Sequence, residues 1–588
     1  MLPKRARWRL AILFGALTLI FAPGRSDAIP LTDDGSINVS MRAYVNLRIG
    51  TMAKQSTKGE DTCEPGAPCD FGGTFPYSAA GNILQNRYFL DVEWDHDLLP
   101  LVEKWTPDWM TTLEYTLNYR GEYEGIYDYG PSVYKNAFES QQELTAFLKQ
   151  SPTFAPGQLE FIPSITYFNR HRLRQVATYR NRLFQAFVDM EFGDLFVRFG
   201  RQNLVWGETD VFRLLDNINP IDNSFGGFFV DLDERRVPLN MLRGSYFIGG
   251  VGGVIDQAFF EGYLAYDNTV AFIPGAPNGS PWANPLGPPT GRTLQILDAP
   301  PTSPSSLRGG GRFVFNVSDY TFTAASYVTM LDTQAVHFRG SLPTDPNFHQ
   351  GVSTITAEST APRVWINGAA MTTAFPQLKG VLRSEIAWFR NEALFKGPVA
   401  SAFPRIGGSP LDGNYVANFL GPVLGGTLDT VSRKDTLNFV VGWDMNQYIR
   451  ALNPAQSFLF STQFFYRHIF NYDECSFGVP CQSVPIPQPN NSTRVVGLAQ
   501  DGYLQTLLIN TTYNNDIPFT DLTVQTTPGF GMFFDWQGMF VFQPSVRFAR
   551  DPWRFIIDYS AINSGVYKYQ FGLVRDRSNV RLQIEYVL

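Results

Sequence analysis

Alternation of apolar and polar side chains with a period of two, over stretches of about ten residues, is the feature that most constrains this fold. From Ile37 to Ile49 apolar residues take every second position, with mostly polar residues between them. The pattern returns between Leu437 and Met445 and from Val580 to Leu588. A strand that faces lipid on one side and an aqueous lumen on the other must show this pattern. It predicts an all-β protein, a transmembrane antiparallel β-barrel.

The same pattern, followed along the chain, predicts about eighteen strands, at 37–49, 86–97, 110–121, 180–192, 195–202, 241–250, 256–268, 308–317, 320–331, 363–374, 379–392, 433–447, 456–470, 503–513, 521–533, 539–548, 553–561 and 579–588. Sixteen strands are the alternative, because one misplaced strand changes an even total by two. The connections alternate between long and short, which indicates long extracellular loops and short periplasmic turns. Only the connection near Asp535 breaks this alternation.

The first residues predict an export signal and therefore a Gram-negative outer-membrane location. A basic start precedes an apolar run from Leu10 to Ala22, and Ser26-Asp27-Ala28 is typical of a cleavage site. We expect a signal peptide at 1–28 and a mature barrel at 29–588. Beyond Ala28 no segment approaches the roughly 20 apolar residues of a membrane helix, so a helical membrane protein is excluded.

The expected partners follow from that location. They are outer-membrane lipid, lipopolysaccharide and the barrel assembly machinery. The assembly machinery is expected because the last strand resembles the C-terminal strand by which barrels are recognised for assembly. The sequence departs from that strand at its end, where Leu588 stands in place of the usual Phe. The net charge of -7 does not favour nucleic acid, which selects basic surfaces.

Four cysteines fall into two local pairs of equal spacing, Cys63 with Cys69 and Cys475 with Cys481. The predicted strands place both pairs in outer loops, where small disulfide-closed loops are expected in an oxidising compartment. A zinc site is the alternative, but this spacing is unusual for zinc ligands and no histidine lies beside either pair. We therefore predict two disulfides, no metal and no cofactor.

The connection from Asn203 to Asn240 carries an unusual density of both charges and is the candidate constriction or plug loop. Such a loop can fold into a wide barrel, narrow the pore and select solutes by a transverse field. A solvated outer loop is the alternative, although its aromatic residues require burial. Calcium at Asp231-Leu232-Asp233-Glu234 is less favoured than ion pairing with the arginines that follow. The pore candidates are Arg201, Gln202, Trp206, Glu208, Asp210, Arg213, Asp216, Asp222, Asp233, Glu234, Arg235 and Arg236.

Short motifs in and after this connection resemble an uncharacterised outer-membrane family, the domain of unknown function 1302. They are Gly200-Arg201-Gln202, Trp206-Gly207-Glu208, Asn219-Pro220-Ile221-Asp222, a tail containing Pro238, and Leu452-Asn453-Pro454-Ala455 followed by Ser457, Ser461, Gln463 and Phe464. The resemblance implies an outer-membrane barrel. It also implies partners, namely an inner-membrane exporter of the resistance-nodulation-division type and a periplasm-facing lipoprotein. It supplies no catalytic residues.

Transport is the function that the sequence favours, either as a passive channel or as the barrel of an export, lipid or hydrophobic-compound system. Phe89, Phe187, Phe389 and Phe465 on otherwise polar faces suggest an aromatic path, although aromatic residues also fill barrel interiors. A structural or adhesive barrel acting through its loops is the alternative. No histidine lies in a nucleophile motif, so no enzyme is predicted. We also predict a helix over Phe138–Lys149 and an irregular outer loop over Pro274–Arg308.

Overall fold

The structure is a computed structural model, and it describes residues 29–51, 80–130, 178–210, 212–222, 225, 229–267, 269, 293–297, 307–331, 335–340, 355–360, 362–395, 427–429, 431–473, 499–516, 523–536, 539–564 and 577–588. The predicted signal peptide, both cysteine pairs and the predicted helix over Phe138–Lys149 lie outside these residues. No helix among the described residues is long and apolar enough to span a membrane.

Eighteen antiparallel strands form a closed barrel, as the alternation predicted. They are numbered β1 to β18 in chain order: Ile37–Gly50, Ile83–Asp97, Met110–Glu124, Tyr179–Phe192, Leu195–Gln202, Leu239–Phe247, Gln257–Tyr266, Leu307–Val317, Tyr320–Met330, Arg363–Phe375, Gly380–Phe395, Val431–Gln447, Phe458–Ile469, Asp501–Asn510, Thr523–Asp535, Met539–Arg550, Trp553–Ser564 and Asn579–Val587. Each pairs with the next, and β18 pairs with β1 from Arg42–Val587 to Gly50–Asn579. Backbone hydrogen bonds between Met41 and Leu588 extend this closure.

The exposure of the side chains is inverted relative to a water-soluble protein. On β18, Ile584 is 53% exposed, whereas its polar neighbours Gln583 and Glu585 are buried. Phe199 and Leu264 are likewise exposed on the outside of their strands. Because a closed barrel satisfies every strand hydrogen bond internally, it can cross hydrocarbon with an apolar exterior. The chain is therefore a transmembrane barrel of the Gram-negative outer membrane.

Except for the connection between β15 and β16, the short connections lie at one end of the barrel, the periplasmic end, and contain residues suited to tight turns. Gly193 and Ser318 take positive φ values of 60° and 52° in two tight hairpins. The segment Pro376–Leu378 is a 3-10 turn. In the connection after β12, the Asn453 side chain accepts hydrogen bonds from the backbone N–H groups of Ala455 and Gln456. At the opposite end, β15 and β16 are joined by three residues, which confirms the single predicted break in the alternation.

The predicted irregular loop over Pro274–Arg308 is wrong in part. Thr293–Leu297 is a strand of a separate four-stranded sheet, whose other members are Ala335–Gly340, Ile355–Thr360 and Thr427–Asp429. These segments belong to three different outer loops. Each is too short for its sequence to indicate a strand, and pairing within one loop and between different loops supplies the hydrogen bonds.

The remaining short elements pair with barrel strands or lie in the connections between them. Ile29–Pro30 pairs with β1, and Tyr513–Asp516 pairs with β15. Short helices occupy Leu99–Val102, Ile126–Tyr129 and Leu232–Arg235.

Candidate functional site: a segment across the lumen

The connection from Asn203 to Asn240, here called the lumen segment, folds into the barrel. Its apolar residues Trp206, Leu214, Leu215 and Ile218 are buried in one cluster with inward side chains of β6, β7 and β9 to β13, such as Phe389. Each such side chain gains about 1.5–3 kcal/mol when it leaves water. The predicted inward fold of this connection is confirmed, and burial of its apolar residues is the physical reason for it.

Glu234 attaches the lumen segment to the wall at β1 and β2. Its carboxylate lies 2.8 Å from Nη1 of Arg42 and 3.0 Å from Nη1 of Arg87, and the Tyr44 hydroxyl donates a 2.6 Å hydrogen bond to it. Arg120 on β3 donates to the backbone oxygen of Glu234 at 3.0 Å. These contacts hold a charged group that is almost fully buried.

The electrostatic balance at Glu234 favours the ionised form. Burial raises the pKa of the carboxyl, but Arg87, Arg42 and the Tyr44 hydroxyl together lower it by more. The pKa of Glu234 therefore lies below its usual value of 4.5.

Asp210 attaches the other end of the lumen segment to β11. Its carboxylate oxygens lie 3.0 Å and 2.9 Å from the two terminal nitrogens of Arg383, which also pairs with Asp444 on β12 at 2.7 Å. Nearby, Glu385 accepts backbone hydrogen bonds from Glu208 and, at 3.2 Å, from Leu215. In a ring of eighteen strands, β11 lies half a circumference from β2, so the two attachments are on opposite walls.

Two further contacts connect the lumen segment to β7 and β9. The indole N–H of Trp206 donates to Glu261 at 2.7 Å, and Arg243 and Arg312 neutralise that carboxylate. The buried Tyr327 hydroxyl donates to the Leu215 carbonyl at 2.7 Å and accepts from the Asn217 N–H at 3.3 Å.

Phenylalanines of the lumen segment pack against a third part of the wall, at β15 to β17. Phe229 packs against Phe533, Val541 and Ile562 of β15, β16 and β17. The Arg48 guanidinium lies 5.1 Å from the Phe229 ring and donates to the Phe229 carbonyl at 3.1 Å. The segment thus contacts the wall around most of the circumference.

The internal structure of the lumen segment explains its sequence motifs. The Asn219 side chain accepts from the Leu204 N–H at 2.8 Å and donates to the Val237 carbonyl at 3.0 Å, which joins the start of the segment to its end. Asp222 pairs with Arg180 on β4. Gly200 has a φ of 133°, and a Cβ there would overlap the Ala186 carbonyl, so glycine is required.

The pore candidates from the sequence divide into three groups by exposure. Gln202, Trp206, Asp216, Asp222, Glu234 and Arg236 are buried in contacts with the wall or within the segment. Arg201, Arg213 and Arg235 are half-buried. Glu208, Asp210 and Asp233 are exposed inside the lumen.

Asp233 and Glu234, which belong to the calcium alternative, both contact arginine. Arg236 pairs with Asp233 and with Asp216, and Glu234 pairs as described above. Burial raises the pKa of Asp216 despite the nearby Arg236. Within the part of the chain that the structure describes, no group of three or more His, Cys, Asp or Glu residues is arranged to hold a metal ion.

Sequence reasoning missed the wall residues that receive the lumen segment. They are Arg42, Arg87, Arg180, Glu261, Arg383 and Glu385. A charged residue on the polar face of a strand looks the same whether it meets water or a buried partner. The many charged residues of the lumen segment are the signal that points to them, because charges that become buried require partners of the opposite sign on the wall.

The family follows from the whole chain. The model of the family described as "Protein of unknown function (DUF1302)" matches residues 9–588. The chain belongs to this DUF1302 family. No curated protein matches it.

Several solved outer-membrane proteins are similar to this DUF1302 chain in structure. OccAB3 of Acinetobacter baumannii is 8% identical, covers 94% of this chain and 98% of its own, and gives a TM-score of 0.38. OprB of Pseudomonas putida is 11% identical, and the match covers 94% of this chain and 95% of OprB with a TM-score of 0.36. The outer membrane channel DcaP of A. baumannii is 8% identical, and the match covers 95% of this chain and 99% of DcaP with a TM-score of 0.31.

The suggested aromatic path in the DUF1302 barrel coincides with packing contacts. Phe389 and Phe465 are buried in the cluster that holds the lumen segment. Phe89 stacks on Tyr44 at 4.8 Å, and Arg198 lies 3.9 Å from the Phe187 ring. All four rings are buried in contacts with neighbouring side chains, as aromatic residues that fill a barrel interior are.

Proposed function

We propose that this DUF1302 chain is an outer-membrane channel in which the lumen segment is the constriction. The observation that carries the proposal is the attachment of Asp210 to β11 and of Glu234 to β1 and β2, on opposite walls. A segment fixed at both ends across a wide barrel narrows the path for any solute.

The exposed charges of the lumen segment give the proposed constriction its selectivity. Glu208, Asp210 and Asp233 project carboxylates into the lumen, while Arg383 and Arg42 lie on facing walls. Opposed charges in a narrow, low-dielectric passage act on a solute more strongly than in water. We expect the passage to discriminate by charge as well as by size.

The contacts favour a resting state with little conductance, and hence a barrel that works with partners. Ion pairs at two walls and apolar packing at a third all oppose displacement of the segment. We propose that the inner-membrane exporter and the periplasm-facing lipoprotein implied by the family resemblance are those partners. A lipid or another hydrophobic compound is the proposed substrate class. We propose a transport role and no enzymatic one.

Single-channel conductance of the refolded protein in a planar bilayer tests this proposal. The variant D210N/E234Q removes the charge of both attachments and keeps the shapes of the side chains. The control E103Q/D108N removes the same charge from the exposed periplasmic turn between β2 and β3. We expect small currents from the wild type and the control, and currents several-fold larger or more frequent from D210N/E234Q.

Equal currents from all three proteins would contradict a constriction held by these attachments.

A structural or adhesive role is the second candidate, and one observation favours it. Outer loops of this barrel form their own four-stranded sheet, which is the candidate surface for a partner. Absence of conductance in every variant, together with cell-surface binding lost on deletion of that sheet, would support this role.

A further inference from the structure

Three arginines lie on the outer surface of the barrel where β10, β11 and β12 reach the extracellular side. Arg363, Arg390 and Arg433 are all exposed. Their outward direction follows from the strand period, because Val364 and Phe389, the neighbours of two of them, are buried inside. These positions are at the ends of strands that enter or leave long outer loops. The patch therefore lies at the height of the outer leaflet.

Within the described residues, these guanidinium groups contact carbonyl oxygens and aromatic rings and form no ion pair with a carboxylate. Arg363 donates to the Leu307 carbonyl at 3.0 Å. Arg433 donates to the carbonyls of Arg363 and Asn391 at 3.3 Å and 3.2 Å. Arg433 on β12 thus reaches across β11 to the backbone of Arg363 on β10, and these contacts do not balance the positive charges of the arginines.

The third guanidinium is held beside two tryptophans. The centre of the Arg390 guanidinium lies 5.0 Å from the Trp365 ring and 5.4 Å from the Trp388 ring, and both rings are exposed. The Trp365 indole donates to the Ser326 hydroxyl at 3.0 Å, which fixes its orientation. Tryptophan is enriched where a barrel passes from hydrocarbon to headgroups.

A β-bulge determines the position of Arg390. The pairing of β11 with β12 shifts register between Phe389 and Glu392, and Asn391 takes a φ of 62°. Such bulges redirect side chains at barrel rims. The carboxylate opposite the bulge, Asp435, accepts a 2.9 Å hydrogen bond from the Asn391 backbone N–H.

Other charged groups on this rim do not neutralise the patch. His468 and Asp501, on β13 and β14, pair with each other at 2.8 Å. Lys434 donates to the Asn471 carbonyl at 2.7 Å and, next to Arg433 on β12, lies on the opposite face of the strand. Asp435 shares the outward face with Arg433, but the three arginines outnumber it, so the outward rim of β10 to β12 carries a net positive charge.

We propose that Arg363, Arg390 and Arg433, with Trp365 and Trp388, form a binding site for the phosphorylated headgroup of an outer-leaflet glycolipid. Guanidinium groups bind phosphate oxygens in paired hydrogen bonds, and adjacent arginines match a headgroup with more than one phosphate. The tryptophans contact the sugar and the upper acyl chains. Exposed arginine facing lipid is unfavourable unless an anion meets it, and the outer leaflet supplies phosphate. The site is independent of the lumen segment.

Lipid binding by the purified, detergent-folded protein tests the site. The probes are diphosphoryl lipid A, its dephosphorylated form and phosphatidylglycerol, and native mass spectrometry measures the bound fraction. The variant is R363Q/R390Q/R433Q. The matched control K104Q/K379Q/R450Q removes three exposed cations from periplasmic turns, at the opposite leaflet. We expect the affinity for diphosphoryl lipid A to fall about tenfold in the variant and to stay within about twofold in the control.

The remaining outcomes separate specific binding from general attraction to anions. The variant R363K/R390K/R433K keeps the charge, and it should recover part of the affinity but lose the paired hydrogen bonds. The dephosphorylated lipid should bind the wild type as weakly as diphosphoryl lipid A binds the glutamine variant. Unchanged affinity in that variant would overturn the site, as would equal losses for phosphatidylglycerol and diphosphoryl lipid A. Melting temperatures within a few degrees of the wild type would exclude misfolding as the cause.

Discussion

The Glu234 carboxylate lies 3.0 Å from the Arg87 guanidinium, although 147 residues separate the two in the chain. Both side chains are almost fully buried, and Arg87 also lies 2.7 Å from the buried Glu122. Loss of one partner from such a pair costs more than the pair contributes, because the remaining charge is left without compensation. This contact attaches the lumen segment to the barrel wall, and it also contributes to the stability of the barrel.

Arg87→Met should therefore destabilise the barrel strongly. Glu122 and Glu234 would keep their charges and lose the guanidinium between them, so we expect the free energy of unfolding to fall by about 3–5 kcal/mol. Guanidinium chloride unfolding of the detergent-folded protein, followed by tryptophan fluorescence, measures this loss. Arg450→Met in an exposed periplasmic turn is the control and should change the unfolding free energy by less than about 0.5 kcal/mol. A loss of similar size in both variants would contradict the assigned role of Arg87.

The stabilisation that Glu234 provides should depend on pH. Because the folded-state pKa of Glu234 is below its usual value of 4.5, the stabilisation is complete above that value. It is lost as the pH falls through the folded-state pKa. We expect wild type and Glu234→Gln to differ most near neutral pH and to converge as the pH falls below about 4.5. Unfolding midpoints of both proteins across this range provide the test, and a difference that grows on acidification would refute it.

Two buried tyrosines near the lumen segment should respond differently to removal of the hydroxyl. Tyr327→Phe leaves the Leu215 carbonyl and the Asn217 N–H without their partner, which should cost about 1–3 kcal/mol. Tyr263 lies in the same cluster, and among the described residues its hydroxyl has no hydrogen-bond partner. Tyr263→Phe should therefore be neutral or slightly stabilising. Equal unfolding free energies for the two variants would show that the Tyr327 hydroxyl does not hold the segment.

Asn453 should determine the stability of the periplasmic turn after β12. Its carbonyl oxygen accepts from Ala455 and Gln456, and its amide donates at 2.9 Å to Thr511 and Thr512 in the next turn. Asn453→Ala leaves these groups unpaired and should cost about 2–3 kcal/mol. Asn453→Asp retains an acceptor for the two N–H groups and should cost about half as much. Both losses are measured as shifts of the unfolding midpoint, and identical losses would argue against separate roles for the two ends of the amide.

Much of the barrel can be predicted from the sequence, because the requirement is local. A strand between lipid and lumen must alternate, and a hairpin must contain a residue that tolerates its φ, as Gly193 and Ser318 do. The eighteen strands and their turns follow from these two rules. The outer sheet does not follow, since strands such as Thr427–Asp429 are too short to show a period. Their pairing is decided by distant loops.

The inward course of the lumen segment was also predictable, since Trp206 and its apolar neighbours could not remain in water. The sequence by itself thus determined the barrel, its turns and the segment that enters the lumen. Only the tertiary structure decided that Glu234 meets Arg42 and Arg87 and that Asp210 meets Arg383. Each lumen face carries many charges at equivalent alternating positions, so the local pattern does not distinguish among them. The choice of partner depends on strand register and on the path of the segment, which the closed barrel fixes as a whole.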